Sequence, residues 1–210
     1  MDNLERIKCQ KMADEIADNV ALSLGVYEAF CNTPREIFVP VGRYAYDLLA
    51  QPIDGSQWIS SPLTVAKMTM ALEVEGVDKV LEIGCGSGYQ AAILSHLAHR
   101  VFSVERIASL AASSRVNFES LGLRGVHVRH DDGRSGWSSF APFDRVLLSC
   151  ATPEVPKRLF DQLAQGGILV APIESNGAQN IVKFKKLSAT EIVSEVLDEC
   201  LFVPLLSGTA

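Results

Sequence analysis

The chain has 210 residues, of which 48% are hydrophobic and 21% are charged. This length and composition are typical of one globular domain that buries a sizeable core. The formal net charge of -6 argues against general nucleic-acid binding, because an acidic surface repels phosphate backbones. The densest basic run, Lys183 to Lys186, is better interpreted as a solvated strand end than as a nucleic-acid patch.

The five cysteines are widely spaced, odd in number and free of any CxxC pair. This pattern predicts neither a zinc site nor a secreted disulfide framework. The first six residues include acidic side chains and no apolar run follows them, so we expect no signal peptide. No stretch approaches the roughly 20 apolar residues of a membrane span. We therefore expect a reduced, cytoplasmic protein.

The first third of the chain is expected to be a helical and loop cap. Apolar residues recur at helical spacing from Asp2 to about Leu24, and a second short helix is predicted from Val26 to Cys31. Residues 37–61 contain Pro, Gly and aromatics without periodicity, which predicts a structured loop with short helical turns. A helix from Thr64 to Leu72 completes the cap, which we assign to residues 1–75.

Strands and helices then alternate. The seven predicted strands are Val80–Ile83, Val101–Val104, Val126–Val128, Phe143–Leu148, Ile168–Ala171, Asn180–Leu187 and Glu191–Val203. The three predicted helices are Gln90–Ala98, Ala108–Leu121 and Pro156–Leu163. The alternation predicts an α/β fold with a doubly wound, mostly parallel, Rossmann-like sheet. The last two strands must be antiparallel, because their three-residue connection is too short for a parallel crossover.

These patterns divide a single domain, residues 1–210, into three parts. Residues 1–75 form the cap, residues 76–175 form the α/β core, and residues 176–210 form the closing hairpin. Ligands of such sheets bind beyond the carboxyl ends of the strands. The residues that follow each strand are therefore the candidates for function.

A glycine-rich loop follows the first core strand. Gly84, Gly86 and Gly88 form a GxGxG pattern, and glycines allow a sharp turn and a close approach of the backbone to a ligand. A dinucleotide fingerprint would place its third glycine at Tyr89, so the pattern favours a ligand without a pyrophosphate. A plain tight turn is the alternative, but the place between a strand and a helix favours ligand binding.

Acidic residues end the next two strands. Glu105 is suited to accept hydrogen bonds from both hydroxyls of a ribose, although it is also placed to cap the next helix. Asp132 is suited to accept the exocyclic amine of adenine, and Gly133 allows close approach. Three such features at three successive strand ends indicate a ligand that contains adenosine.

In this order, these residues resemble a class I S-adenosylmethionine-dependent methyltransferase. The resemblance becomes specific to the protein-L-isoaspartate O-methyltransferase family in the Ile-Ser-x-Pro segment at 59–62 and in Phe-Val-Pro at 202–204. The segments that carry it are residues 34–40, 45–46, 58–62, 80–92, 132–133, 141–144, 162–167 and 202–205. They extend over nearly the whole chain.

The resemblance implies methyl transfer from S-adenosylmethionine to the α-carboxylate of L-isoaspartyl residues, the first step of protein repair. It implies that Ser60 is the active-site serine. The cofactor-binding residues that we expect are Ile59, Ser60, Ser61, Glu82, Gly84, Cys85, Gly86, Gly88, Glu105, Arg106, Asp132 and Gly133. Isoaspartyl proteins and peptides are the expected partners of a monomer that uses no metal, nucleic acid or membrane.

Three positions depart from the family pattern. Trp58 replaces a small polar residue, Asp47 is displaced by one position from the family's Ala-Tyr-x-Asp, and Leu206 stands where some relatives have Thr. Ser60 itself has a second interpretation as a helix cap before Pro62.

Chemistry constrains the remaining candidates. A carboxylate acceptor needs no general base, and residues 149–153 lack the Asn/Asp-Pro-Pro-Tyr segment of nucleobase methyltransferases. His96 and His99 have no third ligand-type neighbour, so we interpret them as helix surface, while His130 lies close to the proposed adenine turn. The alternatives that stay open are a small-molecule methyltransferase, an NAD-dependent oxidoreductase and a non-catalytic binding module.

Overall fold

The computed structural model describes residues 1–210 and contains a seven-stranded sheet and a separate two-stranded hairpin. The strands are β1 (Gln51–Ile53), β2 (Gln57–Ile59), β3 (Lys79–Ile83), β4 (Arg100–Glu105), β5 (Val126–His130), β6 (Phe143–Leu148), β7 (Leu163–Ser175), β8 (Ala178–Lys186) and β9 (Ile192–Glu199). The α-helices are α1 (Asn3–Ala17), α2 (Leu24–Cys31), α3 (Pro62–Leu72), α4 (Tyr89–Ser95), α5 (Ala108–Ser120) and α6 (Lys157–Asp161). None of these helices has the length and apolar character needed to cross a bilayer.

The large sheet has the strand order β5-β4-β3-β6-β7-β8-β9. The pairs from β5 through β7 are parallel, and β7, β8 and β9 pair antiparallel. The predicted fold class is therefore confirmed, including the antiparallel closing hairpin. The winding reverses between β3 and β6, so the carboxyl ends of these two neighbours mark the place where ligands bind in such sheets.

The central strands β3 and β4 are buried on both faces, which explains why most of their residues are apolar. In β3, Val80 belongs to a core cluster shared with helices α1 to α5, whereas Leu81 and Ile83 belong to a second cluster on the opposite face. The period of two along a strand separates these neighbours. The N-terminal cap and one face of the sheet consequently share a single hydrophobic core.

The helix predicted from Asp2 to about Leu24 is shorter in the structure, and a break separates it from the second predicted helix, α2, which begins at Leu24. A capping box begins α1, where the Asp2 side chain accepts from the Glu5 amide at 2.8 Å and the Glu5 side chain accepts from the Asp2 amide at 3.0 Å. The helix ends at Ala17, and the Ser23 hydroxyl accepts from the Val26 amide at 3.2 Å to cap α2. Helical periodicity runs through the break because both helices bury a face in the same core.

The region 37–61 contains a hairpin that the sequence pattern did not predict. Strands β1 and β2 pair antiparallel, with Gln51 opposite Ile59, and the turn between them uses Gly55 and Ser56 at positive φ. Each strand has only three residues, which is too short to establish a period. The hairpin delivers Ile59 and Ser60 to the end of the cap that faces the sheet.

The last strands differ from their predicted bounds. Strand β7 begins at Leu163 and runs through the two glycines that were expected to stop a helix. Strand β9 ends at Glu199, because the Gln179 side chain accepts from the Phe202 amide at 2.7 Å and turns the chain back. The returning segment bonds to Ala151 through Val203 and Leu205 at 2.8 and 2.7 Å. This turn brings residues 202–206 to the carboxyl edge of the sheet.

Candidate active site

A pocket opens at the carboxyl edge of the sheet, where β3 and β6 diverge. Its walls come from four parts of the chain that are distant in sequence. They are the β2 end (residues 57–60), the loop after β3 (82–87), the end of β4 (104–107) and the returning tail (202–206). Tyr89, Gln90, Gly133, Ser149 and Cys150 complete the lining with two residues of α3. Ligand sites of doubly wound sheets lie at this edge.

The glycine loop needs its glycines for backbone shape. Gly84, Gly86 and Gly88 have φ of 91°, 56° and 99°, a region that residues with a Cβ rarely adopt. At Gly88 a Cβ would also lie 2.5 Å from the ring of Phe118. Gly84 and Gly86 line the pocket, whereas Gly88 packs against α5 and does not. Two glycines therefore expose backbone to a ligand, and the third allows helix α4 to start.

Glu105 connects the glycine loop to β4. Its buried carboxylate accepts from the Gly86 amide at 2.8 Å through Oε2 and from the Ile107 amide at 2.9 Å through Oε1. The second bond satisfies an amide just before α5, so the capping interpretation is partly correct. Each oxygen keeps another lone pair, because an ionised carboxylate has about four acceptor sites. Glu105 therefore has acceptor capacity left for two hydroxyl groups.

Glu82 is a second buried carboxyl group in the pocket wall. Burial raises its pKa to about 8, hydrogen bonds from the Ser103 and Ser149 hydroxyls at 2.6 and 3.1 Å lower the pKa, and the neighbouring charge of Glu105 raises it. Near neutral pH the neutral form of this carboxyl group therefore predominates in the absence of a bound cation. A cation placed in the pocket would favour the charged form.

Asp132 does not line the pocket, although Gly133 beside it does. Its carboxylate accepts from the Arg134 amide at 2.9 Å and from the Gly208 amide at 2.8 Å. The C-terminal residue Ala210 in turn bonds to the backbone of Arg106 and Ala108 at 2.7 and 2.8 Å. The side chain that was expected to face a base thus holds the chain terminus beside β4.

Ser60 and Ser61 have different roles. The Ser61 hydroxyl accepts from the Thr64 amide at 3.1 Å and is the N-cap of α3, so Ser60 is not the helix cap. Ser60 lines the pocket, and its hydroxyl has no hydrogen-bond partner within the protein. Ser61 caps the helix and does not line the pocket.

The remaining residues that the sequence singled out divide into those that line the pocket and those that do not. Trp58 and Leu206, two of the departures from the family pattern, line the pocket and are 55% and 48% exposed at its mouth. His130 does not line it and instead contacts the Arg106 carbonyl at 3.0 Å.

Burial raises the pKa of the Cys85 and Cys150 thiols, which keeps both neutral.

The structure brings nine of the twelve expected cofactor-binding residues to the pocket wall. These nine are Ile59, Ser60, Glu82, Gly84, Cys85, Gly86, Glu105, Arg106 and Gly133. Sequence reasoning gave no site role to Tyr89, Gln90, Ser149 or residues 202–205, which also line it. The rule that ligands lie beyond strand ends would have found Ser149, directly after β6, whereas the position of 202–206 depends on the turn at Gln179. No cluster of three or more His, Cys, Asp or Glu side chains suited to a metal ion is present.

A family model described as protein-L-isoaspartate(D-aspartate) O-methyltransferase matches residues 8–210. The chain belongs to this family. A protein-L-isoaspartate O-methyltransferase of Helicobacter pylori strain J99 is 49% identical over 207 residues, which cover 98% of this chain and 99% of the relative. One from Maricaulis maris is 45% identical over 187 residues, 88% of this chain and 87% of the relative.

One solved structure agrees with the family assignment, and a second has the same fold. A protein-L-isoaspartate O-methyltransferase with 28% identity superposes with a TM-score of 0.84 over 92% of this chain, which spans 64% of that longer chain. A Plasmodium falciparum protein described as a member of the same family was solved in complex with S-adenosyl-L-homocysteine. It superposes with a TM-score of 0.84 at 19% identity, over 94% of this chain and 98% of the Plasmodium chain. This second likeness concerns the fold.

The raised pKa of Glu82 predicts a pH dependence of stability. The folded carboxyl titrates near 8 and the unfolded one near 4.3, so the unfolded chain loses its proton first as pH rises. The stabilising contribution of Glu82 is complete below about pH 4 and is lost as the pH rises to about 8. Relative to a Glu82→Gln variant, the wild-type free energy of unfolding should fall by up to about 1.4 kcal/mol per pH unit within this window.

Urea unfolding at pH 5, 6, 7 and 8 measures this difference. Glu195→Gln, at an exposed position of β9, is the control and should follow the wild type at every pH. Parallel profiles for wild type and Glu82→Gln would show that the pKa of Glu82 is not raised.

Proposed function

We propose that this enzyme transfers the methyl group of S-adenosylmethionine to the free α-carboxylate of L-isoaspartyl residues in damaged proteins and peptides, which begins their repair. Membership of the family supports the reaction class. The observation that carries the assignment of the acceptor side is the Ser60 hydroxyl, which lines the pocket without an internal partner because Ser61 caps the helix.

The residues of the pocket fit the cofactor. S-adenosylmethionine has a cationic sulfur and an ammonium group, and the pocket wall holds the two buried carboxyl groups of Glu82 and Glu105. We assign Glu105 to the ribose hydroxyls and the Gly84 and Gly86 backbone to the methionine portion. Glu82 is assigned to the charge of the ammonium group. When bound, the cofactor supplies a methyl carbon attached to a positively charged sulfur.

The base end of the cofactor is assigned to Gly133 and the adjoining residues of the β4 end, Arg106 and Ile107. A contact from Asp132 to adenine requires the carboxylate to turn into the pocket while keeping or exchanging its bond to Gly208. The most direct role of Asp132 in this arrangement is to hold the C-terminal residues against β4.

The protein contributes position and a dry environment to the reaction. The α-carboxylate of an isoaspartyl residue is ionised at neutral pH, so no residue has to remove a proton from it. Ser60 donates a hydrogen bond to one carboxylate oxygen and leaves the other free to attack in line. Buried Ile59, Val65 and Met68 exclude water, which strengthens the attraction between the opposite charges that the reaction neutralises.

The proposal also includes the cellular setting. We propose a cytoplasmic monomer that acts on isoaspartyl proteins and peptides without binding nucleic acid or membranes. The net charge of -6 supports the absence of nucleic-acid binding, and five free cysteines are consistent with a reducing compartment. We further propose that residues 1–75, 76–175 and 176–210 act as cap, cofactor core and closing hairpin of one domain.

The substrate assignment is tested with methyl-labelled S-adenosylmethionine and two peptides that differ at one residue, isoaspartate or aspartate. We expect base-labile methyl esters on the isoaspartyl peptide alone, because the backbone branch point decides whether the carboxylate reaches Ser60. Equal labelling of both peptides, or none, would reject the substrate. Labelling of an added small molecule instead would favour the small-molecule methyltransferase.

Replacing Ser60 by Ala should lower kcat for the isoaspartyl peptide about 10- to 100-fold, the loss expected for one hydrogen bond to a charged group. The dissociation constant for S-adenosylhomocysteine should remain within a factor of about three. Steady-state kinetics and calorimetry measure the two quantities.

Ser61→Ala is the matched control, since it removes the neighbouring hydroxyl from a helix cap. It should lower the free energy of unfolding by about 1 kcal/mol and leave kcat unchanged. The role of Ser60 would be structural if Ser60→Ala weakened product binding and turnover by the same factor.

A further inference from the structure

Arg35 is a fully buried cation without an acidic partner. It lies in the 3₁₀ turn Arg35–Phe38 of the cap and has a relative exposure of 0%. Its guanidinium Nη2 donates to the Ser60 carbonyl at 2.7 Å, and the group stacks over the Tyr89 ring at 4.5 Å from the ring centre. Its Nε and Nη1 have no hydrogen-bond partner, and none of the six ion pairs includes Arg35.

This arrangement is unfavourable for folding alone. A buried charge loses its hydration, and neither a carboxylate nor a complete set of hydrogen bonds compensates for Arg35. Burial lowers the pKa of the guanidinium, but arginine keeps its proton in proteins. A neutral donor would satisfy the Ser60 carbonyl at lower cost. Residues that reduce stability in this way are typical of sites where function requires them.

The contacts of Arg35 connect two walls of the pocket. Ser60 lies at the end of the β1–β2 hairpin, and Tyr89 begins α4 directly after the glycine loop. Both residues line the pocket, whereas Arg35 lies behind them and does not. A single guanidinium therefore fixes the distance between the acceptor side and the loop assigned to the cofactor. Its rigid planar group suits this role better than a flexible ammonium.

The charge of Arg35 also matters for the acceptor. Glu82 and Glu105 place two carboxyl groups in the pocket wall, and in their ionised forms they would repel an incoming carboxylate. Arg35 places an unneutralised positive charge directly behind Ser60, in a medium of low dielectric where its field is weakly screened. Arg106, the cation that lines the pocket wall itself, is partly exposed and its Nε donates to the Gly208 carbonyl.

We propose that Arg35 is a positioning residue for the acceptor carboxylate, which holds Ser60 through its backbone and makes that side of the pocket selective for an anion. The proposal rests on the proposed function. Arg35 does not touch the reacting atoms and acts through Ser60. Its unsatisfied charge is the feature that favours binding of a carboxylate over a neutral group.

The test compares wild type, Arg35→Met and Arg35→Lys. Arg145→Met is the matched control, because Arg145 is a half-buried arginine at the opposite end of β6 that also bonds to backbone carbonyls. Each protein is assayed for kcat/KM with the isoaspartyl peptide, for binding of S-adenosylhomocysteine and for its thermal midpoint. Binding of an isoaspartyl peptide and of its α-carboxamide analogue, in the presence of S-adenosylhomocysteine, measures the preference for the anion.

Arg35→Met should lower kcat/KM about 30-fold and remove most of the carboxylate preference, the size expected when a charge is lost from a desolvated site. The affinity of Arg35→Met for S-adenosylhomocysteine should stay within about threefold of the wild-type value. Its thermal midpoint should be no lower than that of Arg145→Met, because the substitution removes an unpaired buried charge. Arg35→Lys keeps the charge and should recover the carboxylate preference, together with about tenfold of the lost kcat/KM.

Several outcomes would overturn the proposal. They are unchanged turnover in folded Arg35→Met, equal losses in turnover and product affinity, or a lysine variant without the carboxylate preference. The lysine result decides the question if the methionine variant does not fold. Failure of the proposed function is distinguishable, because wild type itself would then not methylate the isoaspartyl peptide.

Discussion

The carboxylate of Glu105 is the interaction on which the pocket depends. It accepts the Gly86 amide from the loop after β3 and the Ile107 amide before α5, so it joins two successive βα units at the edge where ligands bind. The loop has two glycines at positive φ on the pocket wall and would otherwise have many accessible conformations. The same side chain lines the pocket where the ribose is proposed to bind. The Glu105 side chain thus both fixes the conformation of the glycine loop and is the proposed partner of the ribose.

The pocket separates charge by position. Acidic groups at the ends of β3 and β4 favour a cation, and Arg35 behind Ser60 favours an anion. Methyl transfer from a cationic sulfur to a carboxylate brings these two charges together and neutralises them. A protein that holds each reactant in the field it prefers, and removes water between them, needs no base or nucleophile of its own. The thiols of Cys85 and Cys150 in the pocket wall are neutral, which agrees with a reaction that uses no nucleophile from the protein.

Local sequence patterns predicted the parallel strands because most of them are buried, largely apolar segments bounded by glycine or polar residues. The same patterns predicted the glycine loop and Glu105, whose functions depend on residues within a few positions of strand ends. The family resemblance indicated Ser60, but the sequence left open whether Ser60 is an active-site residue or the helix cap before Pro62.

Features that depend on distant contacts were not predictable. The bond from the Gly208 amide to the Asp132 carboxylate joins residues 76 positions apart in the chain, so no local pattern indicates it. The hairpin β1–β2 is too short to show a period, and the placement of 202–206 depends on the side chain of Gln179. The burial of Arg35 against Tyr89, which leaves it an unpaired cation, is likewise visible only in the structure.

The central claim is that the carboxyl edge of the sheet binds a nucleoside that carries a sulfonium. Isothermal titration of the purified protein with S-adenosylmethionine, S-adenosylhomocysteine and NAD tests it most directly. The account predicts one site for each of the first two ligands and no saturable heat with NAD. Absence of binding by both the methyl donor and its demethylated product would contradict it.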